Sequence, residues 1–147
     1  MISPELLRRY PYFAPIHEWT LKRIAMVSQE RVYLAGQHIF DEGEPADHVY
    51  LIVSGEVELQ YLLPSGEART IDMIPAGELI GWTALVDPHR RSARAIADRE
   101  TDIVAVESEM LRALCEEDPT LGYRLMEKVC EILASRLDAT RLQLAVV

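Results

Sequence analysis

The chain contains few cysteines, and none of them has the spacing of a disulfide framework or a redox motif. Only Cys115 and Cys130 occur in its 147 residues, both among apolar and acidic residues at helical spacing. Small secreted domains are usually rich in disulfides, whereas cytosolic proteins keep their thiols reduced. We therefore expect two reduced thiols in a cytoplasmic protein.

Long apolar runs are also missing. A membrane-spanning helix needs about 20 consecutive apolar residues, and no segment approaches that length. Residues 1–11 mix apolar residues with Glu5, Arg8 and Arg9, which does not match a secretory signal. The sequence therefore predicts a soluble protein without a membrane partner.

Basic residues are scarce relative to acidic ones. The chain has 15 Lys and Arg against 24 Asp and Glu, a net charge of −9. Because affinity for nucleic acid comes mainly from cations that neutralise phosphates, this balance predicts no direct DNA binding. The length and the 49% hydrophobic content predict one globular domain over residues 1–147.

The residue types that form common active sites do not occur in a catalytic pattern. The four histidines lack the His-x-His spacing of a metal-binding cupin, although His38 and His48 could meet across neighbouring strands. There is no Gly-x-Ser-x-Gly motif, and neither cysteine has a histidine nearby. We expect no metal site, no cofactor and no enzymatic activity.

The order of sequence patterns predicts helices at both ends of a β-rich segment. Apolar residues at helical spacing predict N-terminal helices over 4–10, capped by Ser3, and over 17–29, within an N-terminal region of residues 1–29. From residue 30 to 108, glycines separate runs of β-branched and aromatic residues about every ten positions, which is typical of an all-β barrel or sandwich. Residues 109–147 return to helical spacing.

Individual strands can be placed within the β segment. The apolar run 49–53 predicts a buried strand, and the alternation over 56–62 predicts a strand with one wet face, joined to it by a turn at Ser54-Gly55. A turn at 64–67 predicts a hairpin between 59–63 and 68–74. Short strands over 94–98 and 102–106 bring the count to about eight.

Two C-terminal helices are predicted, one over 109–116 with Ser108 as its cap and one from Asp118-Pro119 to the end. The long helix carries an apolar stripe with alternating spacings of four and three, the pattern of a coiled-coil seam. We therefore expect a homodimer through residues 120–147. Alternatively, the helix lies on its own barrel through a second stripe, Leu125, Val129 and Ile132. The seam residues are Met126, Cys130, Leu133, Leu137, Thr140, Leu144 and Val147.

Several glycine-centred motifs occur in a characteristic order. They are Gly36 with Ile39, the segments 43–46 and 49–57, Gly66, the segment 77–81, Ala84-Leu85 and the segment 91–93. Together they resemble the cyclic nucleotide-binding domain family over nearly the whole chain, except that Phe40 occupies a position that is usually small and aliphatic. The resemblance implies a mainly β fold, an eight-stranded jelly-roll β-barrel with N-terminal helices and a long C-terminal dimerisation helix.

The resemblance also implies a phosphate-binding cassette between two strands. Backbone N–H groups of Ala84 and Leu85 would meet the phosphate at a helix N-terminus. Arg91 would donate two hydrogen bonds from its charged guanidinium to the phosphate oxygens, and Ser92 would supply a hydroxyl and an amide. Arg90 and Arg94 extend this basic cluster within an acidic chain. The predicted ligand-binding residues are Gly81, Trp82, Thr83, Ala84, Leu85, Arg90, Arg91, Ser92, Ala93, Arg136 and Thr140.

One cassette residue departs from the family pattern. Members that bind cyclic nucleotides usually have Gly-Glu at the start of the cassette, where the carboxylate accepts a hydrogen bond from the ribose 2′-hydroxyl. Here Gly81-Trp82 occupies these positions, and an indole cannot accept that bond. In the family the long helix also supplies a hydroxyl or an arginine to the purine, a role that Ser135, Arg136 or Thr140 could take.

Two functions are consistent with these residues. The first is a regulatory sensor that binds a cyclic nucleotide such as cyclic AMP or cyclic GMP, or a related anion, and signals through its last helix. The second is a ligand-free dimerisation or protein-interaction scaffold whose pocket is closed by Trp82. Because the sequence has no helix-turn-helix after the long helix, we expect either function to require an effector protein.

Overall fold

The structure is a computed structural model that describes residues 2–146. Two short helices come first, α1 (Pro4–Leu7) and α2 (Glu18–Met26). Two helices follow the β segment, α3 (Ser108–Glu117) and the 28-residue α4 (Pro119–Val146). A 3-10 helix (Trp82–Leu85) interrupts the β segment. The mainly β class with flanking helices and a long C-terminal helix is confirmed.

The described residues form eight strands, which are β1 (Ser28–Tyr33), β2 (His38–Phe40), β3 (His48–Ser54), β4 (Glu56–Leu62), β5 (Ala68–Pro75), β6 (Leu79–Ile80), β7 (Arg94–Ala97) and β8 (Thr101–Glu107). They make two four-stranded antiparallel sheets, with the order β1-β8-β3-β6 in one sheet and β2-β7-β4-β5 in the other. β5 is thus an edge strand, and it forms the predicted hairpin with β4.

Apolar side chains form two buried clusters. One includes Tyr50, Ile52 and Ile103 from the first sheet and Val57 and Leu59 from the second, so it fills the space between the sheets. The other joins the helices to the outer face of the first sheet, with residues such as Leu7, Leu21, Leu51, Val104, Leu111 and Leu125. This second cluster also includes Leu121, Leu125 and Val129 of α4, and the cassette segment follows β6 and precedes β7 in the chain.

Tertiary hydrogen bonds change some predicted boundaries. The helix predicted over 17–29 ends at Met26, because the chain from Ser28 pairs with β8 as a strand. The helix predicted over 4–10 ends at Leu7, although Ser3 Oγ does accept from the Glu5 N–H as predicted. Ser108 does not cap α3: it is the first helical residue, and its Oγ donates to the Ala46 carbonyl oxygen.

The two stripes of α4 face different surroundings. Leu125 and Val129 of the second stripe are buried against the core, and Ile132 is partly buried there. The predicted seam faces outwards: Leu133 is 42% exposed, Leu137 59% and Leu144 71%. Val147, its last member, lies outside the described residues. The helix therefore packs on its own domain through the second stripe and still presents the predicted seam to solvent.

The histidines predicted to be able to meet do not do so. His38 is on β2 and His48 is on β3, and these strands belong to different sheets. His38 Nδ1 lies 2.7 Å from Asp41 Oδ1, whereas His48 Nε2 lies 3.4 Å from Arg31 Nη2. Residues 2–146 contain no group of three or more potential metal ligands. Among the helices described, none has both the length and the apolar character to cross a membrane.

Candidate functional site

The cassette begins at Gly81, whose backbone conformation requires glycine. Its φ is +82°, in the left-handed region that side chains other than glycine rarely adopt. A Cβ atom at this position would lie 2.7 Å from Arg91 Nη1. Glycine therefore lets the arginine approach the backbone at the start of the 3-10 helix.

A very small cavity lies against the cassette and under α4. Its volume is about 20 Å³, near the minimum for a single water molecule and far below a typical ligand pocket of about 300 Å³ or more. Six of the eleven predicted ligand residues line it. They are Gly81, Trp82, Thr83, Ser92, Ala93 and Arg136, together with Phe40, Leu59, Leu79, Ile80 and Ile132.

Four of the other predicted residues make contacts elsewhere. Ala84 and Leu85 are buried in the core, and the Ala84 N–H, predicted to meet a phosphate, donates to the Gly81 carbonyl oxygen. Arg90 Nη1 donates to the Gly43 carbonyl oxygen at the surface. Thr140 Oγ1 donates to the Arg136 carbonyl oxygen within α4. None of these four lines the small cavity in the described conformation.

Arg91 is also withdrawn from the cavity. Only 4% of it is exposed, and its guanidinium donates to the carbonyl oxygens of Gly81, at 3.0 Å, and His48, at 2.6 Å. Its Cζ lies 4.3 Å from the centre of the Phe40 ring. Nε is buried and has no hydrogen-bond partner among the described residues. The guanidinium thus makes its hydrogen bonds to neutral carbonyl groups.

Burial makes this charge costly. Desolvation lowers the pKa of Arg91, although Tyr50 and more distant carboxylates oppose the change. Within residues 2–146, Arg91 forms no ion pair, unlike Arg94, whose Nε lies 3.1 Å from Asp41 Oδ1. The cassette thus contains a buried cation without an anionic partner, which is the electrostatic condition of an anion-binding site.

Two larger cavities lie along α4, and each shares at least one lining residue of α4 with the small cassette cavity. One of about 370 Å³ lies between β5, β6 and α4, and another of about 240 Å³ lies between the β4–β5 hairpin and α4. Arg136 lines both of these and the small cassette cavity. Arg136 is therefore common to the three cavities, and Thr140 lines the 240 Å³ cavity with it.

An ion pair joins α4 to the loop before β6, next to these cavities. Lys128 Nζ lies 3.0 Å from Glu78 Oε2, in the loop just before β6, and the Lys128 side chain is only 20% exposed. Sequence reasoning missed this pair, because Glu78 and Lys128 are fifty positions apart. It missed the contact between Phe40 and Arg91 as well. The unusual size of Phe40 was the only signal of that contact.

Comparison with known proteins identifies the fold. The family model described as the cyclic nucleotide-binding domain matches residues 30–118. The chain belongs to this family. The matched residues of the cyclic nucleotide-binding domain include the whole cassette, whereas Arg136, Thr140 and the α4 seam lie beyond them.

Two curated relatives are longer than this chain. The Cyclic AMP receptor protein of Thermus thermophilus is 34% identical over 116 residues, covering 79% of this chain and 52% of that protein. The CRP-like cAMP-activated global transcriptional regulator of Mycobacterium tuberculosis is 26% identical over 141 residues, covering 96% of this chain and 61% of that protein. The chain thus spans about half to three fifths of the length of these relatives.

This chain also matches one solved structure over nearly the whole length of that structure. The crystal structure of a Geobacter metallireducens protein assigned to cyclic nucleotide binding superposes with a TM-score of 0.81 at 34% identity. The match covers 93% of this chain and 99% of that one. The cyclic nucleotide-binding domain is therefore supported by sequence and by structure.

Proposed function

We propose that this cyclic nucleotide-binding domain is a non-enzymatic sensor that binds a cyclic nucleotide or a related anionic small molecule at the cassette. The observation that carries the proposal is the buried guanidinium of Arg91, which has no anionic partner among the described residues. Thr83 supports it, because this residue lines the cassette cavity and its buried Oγ1 also lacks a hydrogen-bond partner among the described residues. An anion would satisfy both groups.

Ligand binding requires the cassette cavity to open. At about 20 Å³ it does not hold a nucleotide, and α4 contributes Ile132 and Arg136 to its lining. A shift of α4 would join it to the neighbouring cavity of about 370 Å³, which is within the usual range of ligand pockets. Such a shift would break the ion pair between Lys128 and Glu78. Ligand binding would in this way change the position of the last helix.

We further propose that α4 transmits this change through a homodimer and an effector protein in the cytoplasm. The outward stripe of α4 supports the dimer, because Leu133, Leu137 and Leu144 are exposed at coiled-coil spacing. The acidic charge of −9 argues against direct contact with DNA. One relative is named as a transcriptional regulator and another as a cyclic AMP receptor protein, which agrees with a signalling role.

The size of the cassette cavity favours a second candidate function. Trp82 and Phe40 both line a space of about 20 Å³, and Trp82 stands where ligand-binding family members usually have glutamate. In this alternative the pocket stays closed, and the domain acts as a dimerisation or protein-interaction scaffold. The two candidates differ in one measurable property, the affinity for a cyclic nucleotide.

Calorimetric titration with cyclic AMP and with cyclic GMP tests the proposal. The sensor predicts saturable binding that Arg136→Ala weakens by about tenfold or more, because a charge-assisted hydrogen bond contributes about 1.5–3 kcal/mol. Arg141→Ala is the matched control, since Arg141 is an exposed arginine of the same helix. Absence of heat with both nucleotides, from a protein that melts cooperatively, would favour the scaffold.

A further inference from the structure

Phe40 touches both Arg91 and the cassette cavity. It is the last residue of β2 and is only 7% exposed. Its ring centre lies 4.3 Å from Arg91 Cζ, and the same residue lines the cavity of about 20 Å³ that Arg91 does not reach. The phenyl group therefore contacts the guanidinium and also helps to fill the space in which a ligand would bind.

A second aromatic ring supports this arrangement. Tyr50 stacks with Phe40 at an angle of 21° and a centroid distance of 6.0 Å, and its own ring centre lies 5.5 Å from Arg91 Cζ. The remaining partners of the guanidinium are the carbonyl oxygens of Gly81 and His48. Two aromatic rings and two carbonyl groups thus stabilise the cation in the position that it occupies without an anion.

We propose that Phe40 is a positioning residue that holds Arg91 away from the cassette cavity and thereby lowers the affinity of the site for its anion. The inference rests on the proposed function, since it assigns an effect on ligand affinity to a residue outside the cassette. An incoming anion has to compete with the ring for the guanidinium. Desolvated cation–π contacts are strong enough to reduce anion affinity by about 30-fold.

The substitution Phe40→Leu removes the ring and keeps an apolar side chain. Phe13→Leu is the matched control, because Phe13 is the other phenylalanine of the chain, is 1% exposed and packs against Tyr12 rather than Arg91. Both variants lose a similar amount of buried apolar surface, so thermal melting should show comparable losses of stability. Phe40→Tyr keeps the ring and should behave as the wild type.

Two measurements separate the inference from the proposed function. The first is the NMR signal of the Arg91 Nε–H group in ¹⁵N-labelled protein, which senses the ring currents of its aromatic neighbours without any ligand. The second is calorimetric titration with cyclic AMP. We expect Phe40→Leu, but neither Phe13→Leu nor Phe40→Tyr, to move the Arg91 signal and to raise the affinity for cyclic AMP by about 30-fold.

Each failure has its own signature. If the Arg91 signal of Phe40→Leu stays where it is in the wild type, Phe40 does not position the guanidinium and the inference is wrong. If the signal moves but cyclic AMP affinity stays at the wild-type value, the effect on affinity is refuted. If the signal moves and no variant binds cyclic AMP or cyclic GMP, the proposed function fails while the contact between Phe40 and Arg91 stands.

Discussion

Replacing Trp82 with glutamate should convert the closed cassette into a stronger cyclic nucleotide site. Trp82 is partly buried, lines the cavity of about 20 Å³, and cannot accept a hydrogen bond from a ribose hydroxyl. Glutamate is smaller, and its carboxylate can accept that bond. Arg136 lines the same cavity and offers a positive charge to a carboxylate in the ligand-free protein.

The size of the effect follows from these contacts. A hydrogen bond to a charged group contributes about 1.5–3 kcal/mol, which corresponds to about 10–150-fold in affinity. At a cyclic AMP concentration of about 100 times Kd, binding adds about 2.7 kcal/mol to the free energy of unfolding. For a chain of this size, that increment raises Tm by about 5–10 °C. The substitution itself should lower the ligand-free stability, since part of the indole packing is lost.

Thermal melting with and without cyclic AMP, followed by calorimetry, measures both effects. Trp19→Glu is the control, because Trp19 is the other tryptophan, lies on α2 and is 65% exposed. We expect Trp82→Glu alone to show the larger ligand-induced rise in Tm and the tighter Kd. If Trp82→Glu remains folded and binds cyclic AMP no better than the wild type, Trp82 does not restrict the site and our reasoning about the cassette is refuted.

Three further predictions concern the fold, the dimer and the thiols. Gly55→Ala should lower the free energy of unfolding in urea by about 3 kcal/mol or more, and Gly36→Ala by about 1–2 kcal/mol. Both glycines have positive φ, but only a Cβ at Gly55 would strike backbone, 2.6 Å from the Glu100 carbonyl oxygen; equal losses would contradict this account. Sedimentation at micromolar concentration should show a dimer that Leu137→Asp converts to a monomer, and a monomeric wild type would rule out the seam. At pH 8 iodoacetamide should modify Cys130 well before Cys115 in the monomeric Leu137→Asp variant, where the seam is uncovered, because burial raises the pKa of Cys115 to about 11; mass spectrometry that finds equal rates would contradict that burial.

Local patterns predicted the elements well where a residue's partners are close in sequence. Ser3 caps α1 as expected, because the N–H group from which its Oγ accepts a hydrogen bond is only two residues away. The prediction failed at Ser28 and Ser108, whose roles depend on distant partners. Ser28 begins a strand because β8 offers hydrogen bonds, and Ser108 donates to Ala46 on another segment. The secondary-structure propensity of a residue does not reflect hydrogen bonds to segments that are distant in sequence.

The residues of the candidate site show the same difference between features set by local sequence and features set by distant partners. The motifs placed the cassette at residues 81–93, and Gly81, Trp82 and Ser92 do line its cavity. Arg91 was expected to face the phosphate. Instead it contacts two carbonyl groups and two aromatic rings, and these contacts form only when β2 and β3 pack beside the cassette. Ligand roles for the cassette residues remain predictions.

The sequence by itself determined the order of helices and strands, the position of the cassette and the two apolar stripes of α4, because periodicity and turn residues act over short distances. Only the tertiary structure decided which stripe packs inwards and that the cassette cavity is closed. It also brought together Phe40 and Arg91, and Glu78 and Lys128, pairs that lie about fifty residues apart. Such contacts form only when sheets and helices pack, and they determine whether the cassette cavity is open.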